Sequence, residues 1–313
     1  MALTAVGSIA FDSVRTPFGE RQRMLGGSAV HFSLAASFFT EVRVVGPVGD
    51  DFGEQEVKAL EGRSVITDDI ERVAGGKTFF WRGHYEYDMN VAHTDDTQLN
   101  VFADFDPKLS EESRAAEMLF LGNIDPELQR RVRASSRAEF ATLDSMNFWL
   151  DSAREALIRA VAEVDCLMLN DAELRELTGE PNLARAARSA MALGPRVVVA
   201  KRGEYGAALF SGEEFFAIPG YLLEDVRDPT GAGDCFAGGF LGYLDSRRTA
   251  GDSVLDHAVL RQAMAYGSVL ASFNVEGFGT ERVQRLTRDE IVDRLQDFKR
   301  ITQFEAESTS ATT

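Results

Sequence analysis

Short apolar runs, several of them rich in β-branched residues, recur along the chain and predict buried strands. They occupy residues 5–9, 42–45, 118–121, 140–143, 166–169, 197–200 and 207–210. Apolar runs of this length without polar alternation are typical of strands that are covered on both faces of a sheet. The pattern therefore predicts a mostly parallel central sheet.

Helical patterns lie between several of these runs. Ser152 and Glu155 have capping-box spacing, which predicts a helix over residues 152–162. Residues 174–178 continue a second helical pattern, and Gly179 follows it as an expected C-cap. Alternation of strand and helix predicts an α/β fold: a doubly wound sheet flanked by helices, with ligands at the carboxyl ends of the strands. We expect one such domain over residues 1–313.

Two stretches depart from this alternation. Residues 13–25 and 76–105 are rich in polar, aromatic and β-branched residues, and KTFFWRGHYEY at 77–87 favours a strand. These stretches predict a small β lid over the strand ends, although a pair of ordinary surface hairpins fits the pattern equally well. The polar tail at 305–313 is expected to be disordered.

Composition narrows the class of protein. Of 313 residues, 44% are hydrophobic and 27% are charged, and the mean hydropathy is -0.16, as in ordinary folded domains. Acidic residues outnumber basic ones by 50 to 33, which gives a net charge of -17. The resulting field repels polyanions and argues against a nucleic-acid or membrane partner. The acidity fits either an ordinary solvated surface or a saline cytoplasm.

Cysteine and histidine usage argues against a disulfide scaffold or a zinc site. The chain has two cysteines, Cys166 and Cys235, and its four histidines lack zinc-ligand spacing. The apolar start of the sequence lacks a basic leader, and no uncharged run approaches the ~20 residues of a membrane span. We therefore expect a cytoplasmic protein.

The most informative segment is DPTGAGDCFAGGFLGYL at residues 228–244. Pro229 biases Asp228 towards extended structure, and the following glycines leave backbone N–H groups accessible. Small and apolar residues then continue at helical spacing. The segment predicts a glycine turn at a helix N-terminus, where unpaired N–H groups and the helix dipole attract anions such as phosphate.

Asp234 lies within that predicted helix start. A carboxylate held ionised beside a bound phosphoryl group would accept the proton of an attacking hydroxyl, as a general base does. Aspartate is also favoured near helix N-termini simply as a cap. The spacing by itself does not separate these two interpretations.

The D-P-T-G-A-G-D sequence followed by an apolar helix resembles the C-terminal signature of the ribokinase-like, or PfkB, carbohydrate kinases. Other segments resemble further elements of that family in the same order. They are GGSAVHFSLAASFF at 26–39, VGPVGDDF at 45–52, the N-x-x-E element NDAE at 170–173 and the nucleotide-side turn KRGEYG at 201–206. The resemblance spans about residues 6–279, and several dispersed motifs in order are far more specific than one.

The resemblance implies an ATP-dependent phosphotransferase with a ribokinase-like fold. Its acceptor would be a hydroxymethyl group of a small sugar, polyol, sugar acid or nucleoside. Asp234 would be the general base, and the N–H groups of Gly231, Ala232 and Gly233 would form the anion hole. Relatives also often form homodimers through the lid.

The resemblance further implies ATP and Mg²⁺ as cofactors. Asn170 and Glu173 would hold hydrated Mg²⁺, although Asn-x-x-Glu is equally a capping box with a structural role. Asp228 matches a position where many relatives bind a monovalent cation, which suggests K⁺. The residues expected on the nucleotide side are Lys201, Gly203, Gly206, Thr230 and Gly279.

On the acceptor side, the resemblance implies a pocket built by Asp12, Gly26 and Gly27. A carboxylate accepts two hydroxyl hydrogen bonds, which suits polyol recognition. His31 stands where ribokinases carry asparagine, and Asn123 stands where many relatives carry an acid. We include both in the expected pocket, which therefore differs from the ribose pocket, although a histidine on an apolar helix face is commonly a packed core residue.

Five aromatic residues of the predicted lid are candidates for contact with a ligand ring. They are Phe79, Phe80, Trp81, Tyr85 and Tyr87. We expect most of them to pack within the lid or against a second subunit, and about one to contact the ligand.

Two other classes of function compete with a kinase. A catalytically silent sugar- or nucleotide-binding regulator would share the fold, but the intact Asp234 argues against it. A dinucleotide-dependent oxidoreductase would need G-x-G-x-x-G after the first strand, where the chain has Gly7-Ser8-Ile9-Ala10. The kinase is the favoured hypothesis.

Overall fold

The secondary structure alternates between strands and helices along most of the chain. The protein is described by a computed structural model that covers residues 3–303, so the predicted tail at 305–313 lies outside the described residues. The strands are β1 (Leu3–Val6), β2 (Ala10–Thr16), β3 (Gly19–Gly26), β4 (Val42–Val48), β5 (Val65–Ile66), β6 (Ile70–Arg72), β7 (Phe79–Tyr85), β8 (Ala92–Gln98), β9 (Met118–Leu121), β10 (Phe140–Asp144), β11 (Cys166–Asn170), β12 (Val197–Lys201), β13 (Ala207–Ser211) and β14 (Glu214–Ile218).

Most of the helices connect these strands, and the last ones follow β14. They are α1 (Ser28–Ala36), α2 (Glu54–Glu61), α3 (Glu111–Arg114), α4 (Pro126–Ser135), α5 (Asn147–Ser152), α6 (Arg154–Val161), α7 (Asp171–Thr178), α8 (Leu183–Met191), α9 (Ala232–Thr249), α10 (His257–Asn274), α11 (Glu281–Arg285) and α12 (Arg288–Thr302). No helix within residues 3–303 is both long and apolar enough to cross a membrane.

A ten-stranded sheet forms the centre of the fold. Its order is β14-β13-β12-β11-β10-β9-β1-β4-β5, with β6 paired beside β4. The strands from β12 to β5 are parallel, and β13 and β14 extend the sheet in antiparallel fashion. β4 pairs with one edge of β1, and the chain later returns to pair β9 with the opposite edge of β1. This reversal of strand order places a ligand crevice at the carboxyl ends of the strands.

Both faces of the central sheet are buried, each in its own apolar core. Leu3 and Ala5 of β1 face the core that contains α1, α9 and α10, whereas Val6 faces the core that contains α6, α7 and α8. Side chains alternate between the faces of a strand, so a doubly covered strand must be apolar at every position. The apolar runs of the sequence have this physical origin.

A second, four-stranded sheet has the order β3-β2-β7-β8. β2 and β7 pair in parallel, and the two outer pairs are antiparallel. This small sheet contacts the segments that follow the central strands. Its contacts are Thr16 Oγ1 to Arg227 O (2.9 Å), Thr280 Oγ1 to Leu25 O (3.2 Å), Thr230 Oγ1 to Tyr85 Oη (3.3 Å) and Asn90 Nδ2 to Glu204 Oε1 (3.1 Å). The small sheet thus covers one side of the crevice.

Two local predictions are wrong. Ser152 does not cap a helix: it is the last residue of α5, and its hydroxyl donates to the Phe148 carbonyl. The first strand ends at Val6 rather than at residue 9, because Gly7 turns the chain where a Cβ atom would lie 2.6 Å from Ser28 Oγ. The residues that follow therefore join the small sheet, and Asp12 lies within β2.

Candidate active site

The glycine turn predicted at residues 231–233 begins α9. Gly231 is the N-cap residue and has φ +74°, a left-handed conformation that favours glycine. Ala232 donates its N–H to the Pro229 carbonyl at 3.1 Å, so the turn itself uses this group. The N–H groups of Gly231 and Gly233 have no acceptor within residues 3–303. Of the three N–H groups expected to form an anion hole, the one of Ala232 therefore already has a backbone acceptor.

Asp234 lies in the first turn of this helix, close to other ionisable groups. Burial raises its pKa to about 7, the nearby Asp144 carboxylate adds to the rise, and Lys201 opposes it. Within residues 3–303 the carboxyl group is not paired with a cation in a salt bridge, so it remains able to exchange a proton. A partly buried carboxyl with a pKa near neutrality is suited to general-base chemistry.

The predicted His31 packs beneath the glycine turn. A Cβ atom at Gly231 would lie 2.3 Å from the His31 ring, so only glycine fits there. His31 Nδ1 lies 3.2 Å from Asn274 Oδ1, and Asn274 Nδ2 donates to the Thr230 carbonyl at 2.7 Å. Burial lowers the pKa of His31 to about 4, so the ring is neutral. The Asn274 oxygen only accepts, so the His31 proton is on Nδ1.

Asp12, Gly26 and Gly27 come together as the sequence predicted. Gly27 N–H donates to Asp12 Oδ2 at 3.3 Å, and a Cβ atom at Gly26 would overlap that carboxylate. Burial raises the pKa of Asp12 to about 7, with the Gly27 N–H opposing the rise and Asp228 and Asp234 adding to it. This electrostatic coupling places Asp12 close to the start of α9.

Asn123 follows β9 at the same edge of the sheet. Its side chain is already engaged, because Trp149 Nε1 donates to Asn123 Oδ1 at 2.9 Å and Asn123 Nδ2 lies 2.9 Å from Met146 Sδ. No contact in the described part of the chain joins it to Asp12 or Asp234. The structure thus holds Asn123 at the strand ends without bringing it into the cluster around α9.

Lys201 and Asp144 form a buried salt bridge across the strand ends. Lys201 is the last residue of β12 and Asp144 the last residue of β10. A Cβ atom at Gly233 would lie 3.2 Å from Lys201 Nζ, so the ammonium group reaches the glycine turn. The motif at residues 201–206 implied that Lys201 lies near the nucleotide. Asp144 was not among the predicted site residues.

Asn170 and Glu173 form the capping box of α7. Asn170 Oδ1 accepts from Glu173 N–H and Glu173 Oε2 accepts from Asn170 N–H, both at 2.8 Å. Burial raises the pKa of Glu173 to about 7, with Lys201 opposing and Asp144 adding to the rise. The second carboxylate oxygen has no protein donor within residues 3–303. The structural interpretation of this pair is therefore correct, and one hard oxygen is still free for a hydrated ion.

This donor set fits Mg²⁺ bound through water rather than enclosed by protein. Within residues 3–303, no group of three or more His, Cys, Asp or Glu side chains is arranged to hold a metal. Mg²⁺ commonly keeps several waters and takes its other ligands from one or two carboxylates and substrate phosphates. Glu173 offers an oxygen of that kind beside the glycine turn.

Asp228 ties the glycine turn to the loop after α10. Its Oδ1 accepts from Thr230 N–H and its Oδ2 accepts from Gly279 N–H, both at 2.9 Å, and the residue is fully buried. Burial raises its pKa, and these hydrogen bonds oppose the rise. Asp228 therefore holds together two segments that the sequence assigned to the nucleotide side.

Gly203 and Gly206 form the turn between β12 and β13. Both have positive φ, +54° and +90°, and a Cβ atom at Gly206 would lie 2.1 Å from the Ile218 carbonyl oxygen. Asn90, at the tip of the β7–β8 hairpin, lies 2.8 Å from the position of a Cβ atom at Gly203. The small sheet thus reaches the turn that was expected to contact the nucleotide.

Among the aromatic residues of the small sheet, Tyr85 reaches the site. Thr230 Oγ1 donates to its hydroxyl at 3.3 Å. Burial raises the pKa of Tyr85, and the carboxylates of Asp12, Asp228 and Asp234 add to the rise, so the phenol stays protonated. In contrast, Phe79 stacks on a neighbouring phenyl ring and Tyr87 is exposed.

A comparison with models of protein families identifies the family of this chain. The model described as pfkB family carbohydrate kinase matches residues 6–285. The chain belongs to the pfkB family. The family predicted from the sequence motifs is thus confirmed. A cytidine kinase of Thermococcus kodakarensis is 30% identical over 253 residues, which are 78% of this chain and 89% of that protein.

Solved structures of the pfkB type share the fold of this protein. A nucleoside kinase of Methanocaldococcus jannaschii has a TM-score of 0.74 at 19% identity and covers 95% of this chain and 98% of its own. An Escherichia coli protein provisionally named ribokinase II, solved with ATP and Mg²⁺, has a TM-score of 0.73 at 19% identity over 96% and 99%. These likenesses confirm the predicted doubly wound α/β fold.

Membership of the pfkB family makes this protein a sugar or nucleoside kinase. Such an enzyme uses ATP and Mg²⁺, as the sequence motifs implied. Two residues of the site escaped the sequence analysis. Asp144 ends an apolar strand, and that position was the available signal. Asn274 is the last residue of α10, and no motif of the sequence marks it as part of the site.

We predict that Gly231→Ala abolishes most of the activity of this pfkB kinase. The new Cβ atom would displace His31 and distort the anion-binding turn, and kcat should fall by about 100-fold, as when an oxyanion-hole donor is lost. Gly251→Ala is the matched control, because Gly251 has φ +98° with no atom within 4 Å of the added Cβ. Steady-state kinetics of both variants measure the difference; equal losses would contradict the assignment.

Proposed function

We propose that the protein transfers the γ-phosphoryl group of ATP to a hydroxymethyl group of a sugar or nucleoside, with Asp234 as the general base. One observation carries this proposal: a partly buried carboxyl with a pKa of about 7 lies directly after the N–H groups of Gly231 and Gly233, which have no acceptor within residues 3–303. A base and an oxyanion site are thereby adjacent, as phosphoryl transfer to an alcohol requires.

The proposed reaction conserves atoms and charge in one displacement. Asp234 takes the proton of the acceptor hydroxyl while the hydroxyl oxygen forms a bond to the γ-phosphorus. The bond between that phosphorus and the β–γ bridging oxygen breaks, and its electrons leave with ADP. The N–H groups of the glycine turn stabilise the negative charge on the transferred group. The products are ADP, a phosphate monoester and the proton on Asp234.

The nucleotide would lie along the segments that Asp228 holds together. Thr230 and Gly279 adjoin the glycine turn, while Gly203 and Gly206 permit close approach to the backbone. Glu173, in the capping box that it forms with Asn170, would hold Mg²⁺ through water, and the ion would supply positive charge beside the phosphates. These positions support the nucleotide site that the motifs implied.

The acceptor would lie between the small sheet and the start of α9. Asp12, aligned by Gly26 and Gly27, would accept hydrogen bonds from sugar hydroxyl groups. The unprotonated Nε2 of His31 is buried and has no hydrogen-bond partner within residues 3–303, so we include it as an acceptor at the base of this pocket. Asn123 would form the rim of this pocket. Closure of the small sheet as a lid would exclude water, and its exposed strand β8 would contact a second subunit in a homodimer.

A screen for ADP release with Mg·ATP tests the proposal. Nucleosides come first because the Thermococcus kodakarensis relative is a cytidine kinase, followed by pentoses, hexoses, ketodeoxy sugar acids and inositols. We expect turnover with one of these classes. Folded protein that phosphorylates none of them would favour the silent regulator, which the family match and the intact Asp234 currently disfavour.

Asp234→Asn should lower kcat by at least about 100-fold, because the general base is lost. Binding of ATP, measured by calorimetry, should change little, since asparagine has the same shape. Asp293→Asn, an exposed and unpaired position, is the matched control. Near wild-type turnover in Asp234→Asn would show that another group accepts the proton.

The same substitution should raise thermal stability at alkaline pH. Folding raises the pKa of Asp234 from 3.8 to about 7, so its contribution to stability is present at low pH and is lost as pH rises through 7. Asparagine does not ionise, so the variant does not lose this stability as pH rises. The melting temperature of Asp234→Asn minus that of the wild type should be larger at pH 8 than at pH 5. A smaller value at pH 8 would contradict the raised pKa of Asp234.

The pH dependence of the reaction should report Asp234. The base must be ionised, so kcat/KM should fall about tenfold per pH unit below a pH of about 7. Burial and Asp144 raise this pKa and Lys201 opposes the rise, while Asp12 and Tyr85 are further titratable groups whose own pKa values Asp234 raises. Because Asp12 also has a pKa of about 7, Asp12→Asn is the control. Loss of the acidic limb in that variant would assign it to Asp12 instead.

We propose further that K⁺ binds beside Asp228 and orders the glycine turn. The hydrogen bonds to the Asp228 carboxylate come from the neutral N–H groups of Thr230 and Gly279, and these leave its negative charge uncompensated. Activity should increase several-fold when K⁺ replaces tetramethylammonium at constant ionic strength. Equal rates with both cations would remove K⁺ from the proposal.

A further inference from the structure

The salt bridge between Asp144 and Lys201 has a role that the family motifs did not supply. We propose that Asp144 is a positioning residue that holds the Lys201 ammonium group against the glycine turn, where it binds the terminal phosphates of a nucleoside triphosphate. This inference rests on the proposed function, because it assigns a source of positive charge to the same anion site.

The position of the two residues in the sheet supports this assignment. Lys201 ends β12, where it pairs in register with Asn170 of β11, and Asp144 ends β10 on the other side of β11. The lysine side chain must therefore cross the carboxyl end of β11 to reach Asp144. It lies over the strand ends, where ligands bind in doubly wound sheets.

The ammonium group also contacts the turn itself. Lys201 Nζ lies 3.2 Å from the position of a Cβ atom at Gly233, and the Gly233 N–H has no acceptor within residues 3–303. A cation and an unpartnered backbone donor are therefore neighbours. Such a pair attracts an anionic oxygen more strongly than the N–H group does alone.

The charge around Lys201 explains why the lysine is needed. Burial lowers its pKa, but the carboxylates of Asp144, Glu173 and Asp234 outweigh this effect and raise the pKa overall, so the lysine stays charged. Without this ammonium group, three carboxyl groups would face an incoming polyphosphate. Their repulsion would oppose binding of the phosphates and of the transferred group.

Asp144 is itself fixed in a way that suits a positioning role. Its Oδ1 accepts from Ser145 N–H at 2.8 Å, and its backbone carbonyl accepts from Gln129 Nε2 at 2.9 Å. Only Oδ2 remains for Lys201. The carboxylate is buried and contacts no other cation within residues 3–303, so it acts on the reaction by holding the lysine and by adding to the raised pKa of Asp234.

A purely structural salt bridge is the competing explanation. In that case the pair would only hold the ends of β10 and β12, and removing both charges together would restore the protein. Removing a single partner leaves an uncompensated buried charge and destabilises the fold in either case. Single variants alone therefore do not separate the explanations, but a double variant does.

The experiment compares Asp144→Asn, Lys201→Met, Lys201→Arg and the double variant Asp144→Asn/Lys201→Met. Asparagine retains the acceptor for Ser145 N–H, so the double variant removes both charges with little change in shape. Melting temperature reports stability. Calorimetry with Mg²⁺ and a non-hydrolysable ATP analogue, against ADP, reports the contribution of the terminal phosphate without requiring turnover.

We expect both charge-removing single variants to melt below the wild type and the double variant to recover most of the loss. We expect Lys201→Met and the double variant to bind the ATP analogue about tenfold more weakly than the wild type. Their affinity for ADP should be close to that of the wild type. Their kcat should fall by about 100-fold. Lys201→Arg should recover part of kcat. Asp144→Asn should lower kcat more than it raises KM for the acceptor.

Recovery of kcat and analogue affinity in the double variant would overturn the inference in favour of the structural explanation. An unchanged affinity of Lys201→Met for the analogue would overturn it as well. Failure of the proposed function has a different signature: wild-type protein that binds the ATP analogue through Lys201 but phosphorylates no alcohol. Wild-type protein that binds neither nucleotide would refute both.

Discussion

The start of α9 must keep backbone N–H donors free beside a partly buried carboxyl group that does not hydrogen-bond to them. Gly231 and Gly233 provide those donors, and Asp234 follows within the same turn. Burial holds the pKa of Asp234 near neutrality, so the group stays able to exchange a proton instead of acting as a permanent anion. The rest of the site can be understood as the support that this arrangement requires.

That support comes from elements far apart in the sequence. Asp228 ties the turn to Gly279, and Asn274 links the Thr230 carbonyl to His31 beneath Gly231. These hydrogen bonds join the glycine turn to α1, to α10 and to the loop after α10, and buried polar networks of this kind restrict the geometry of the groups they join. The turn is thereby rigid before any ligand arrives, which is the condition for electrostatic catalysis without reorganisation.

The cluster of carboxyl groups lowers stability, and the large double core offsets that cost. Asp12, Glu173 and Asp234 all have pKa values raised to about 7 by burial, so each opposes folding at neutral pH. The two apolar cores on either face of the central sheet contribute the compensating burial. Function is concentrated where the fold is locally least favourable, as expected of active sites.

The sequence by itself determined most of the central strands, the glycine turn and the family, because doubly buried strands and close backbone approach restrict the residue types that fit. It did not determine the structure at Ser152. The local spacing there favoured the start of a helix, but Ser152 is the last residue of the preceding helix, α5. Only the tertiary structure decided that Asp144 meets Lys201 and that Asn274 meets His31. Contacts between residues so distant in sequence depend on how strands and helices pack. Local sequence patterns do not predict that packing.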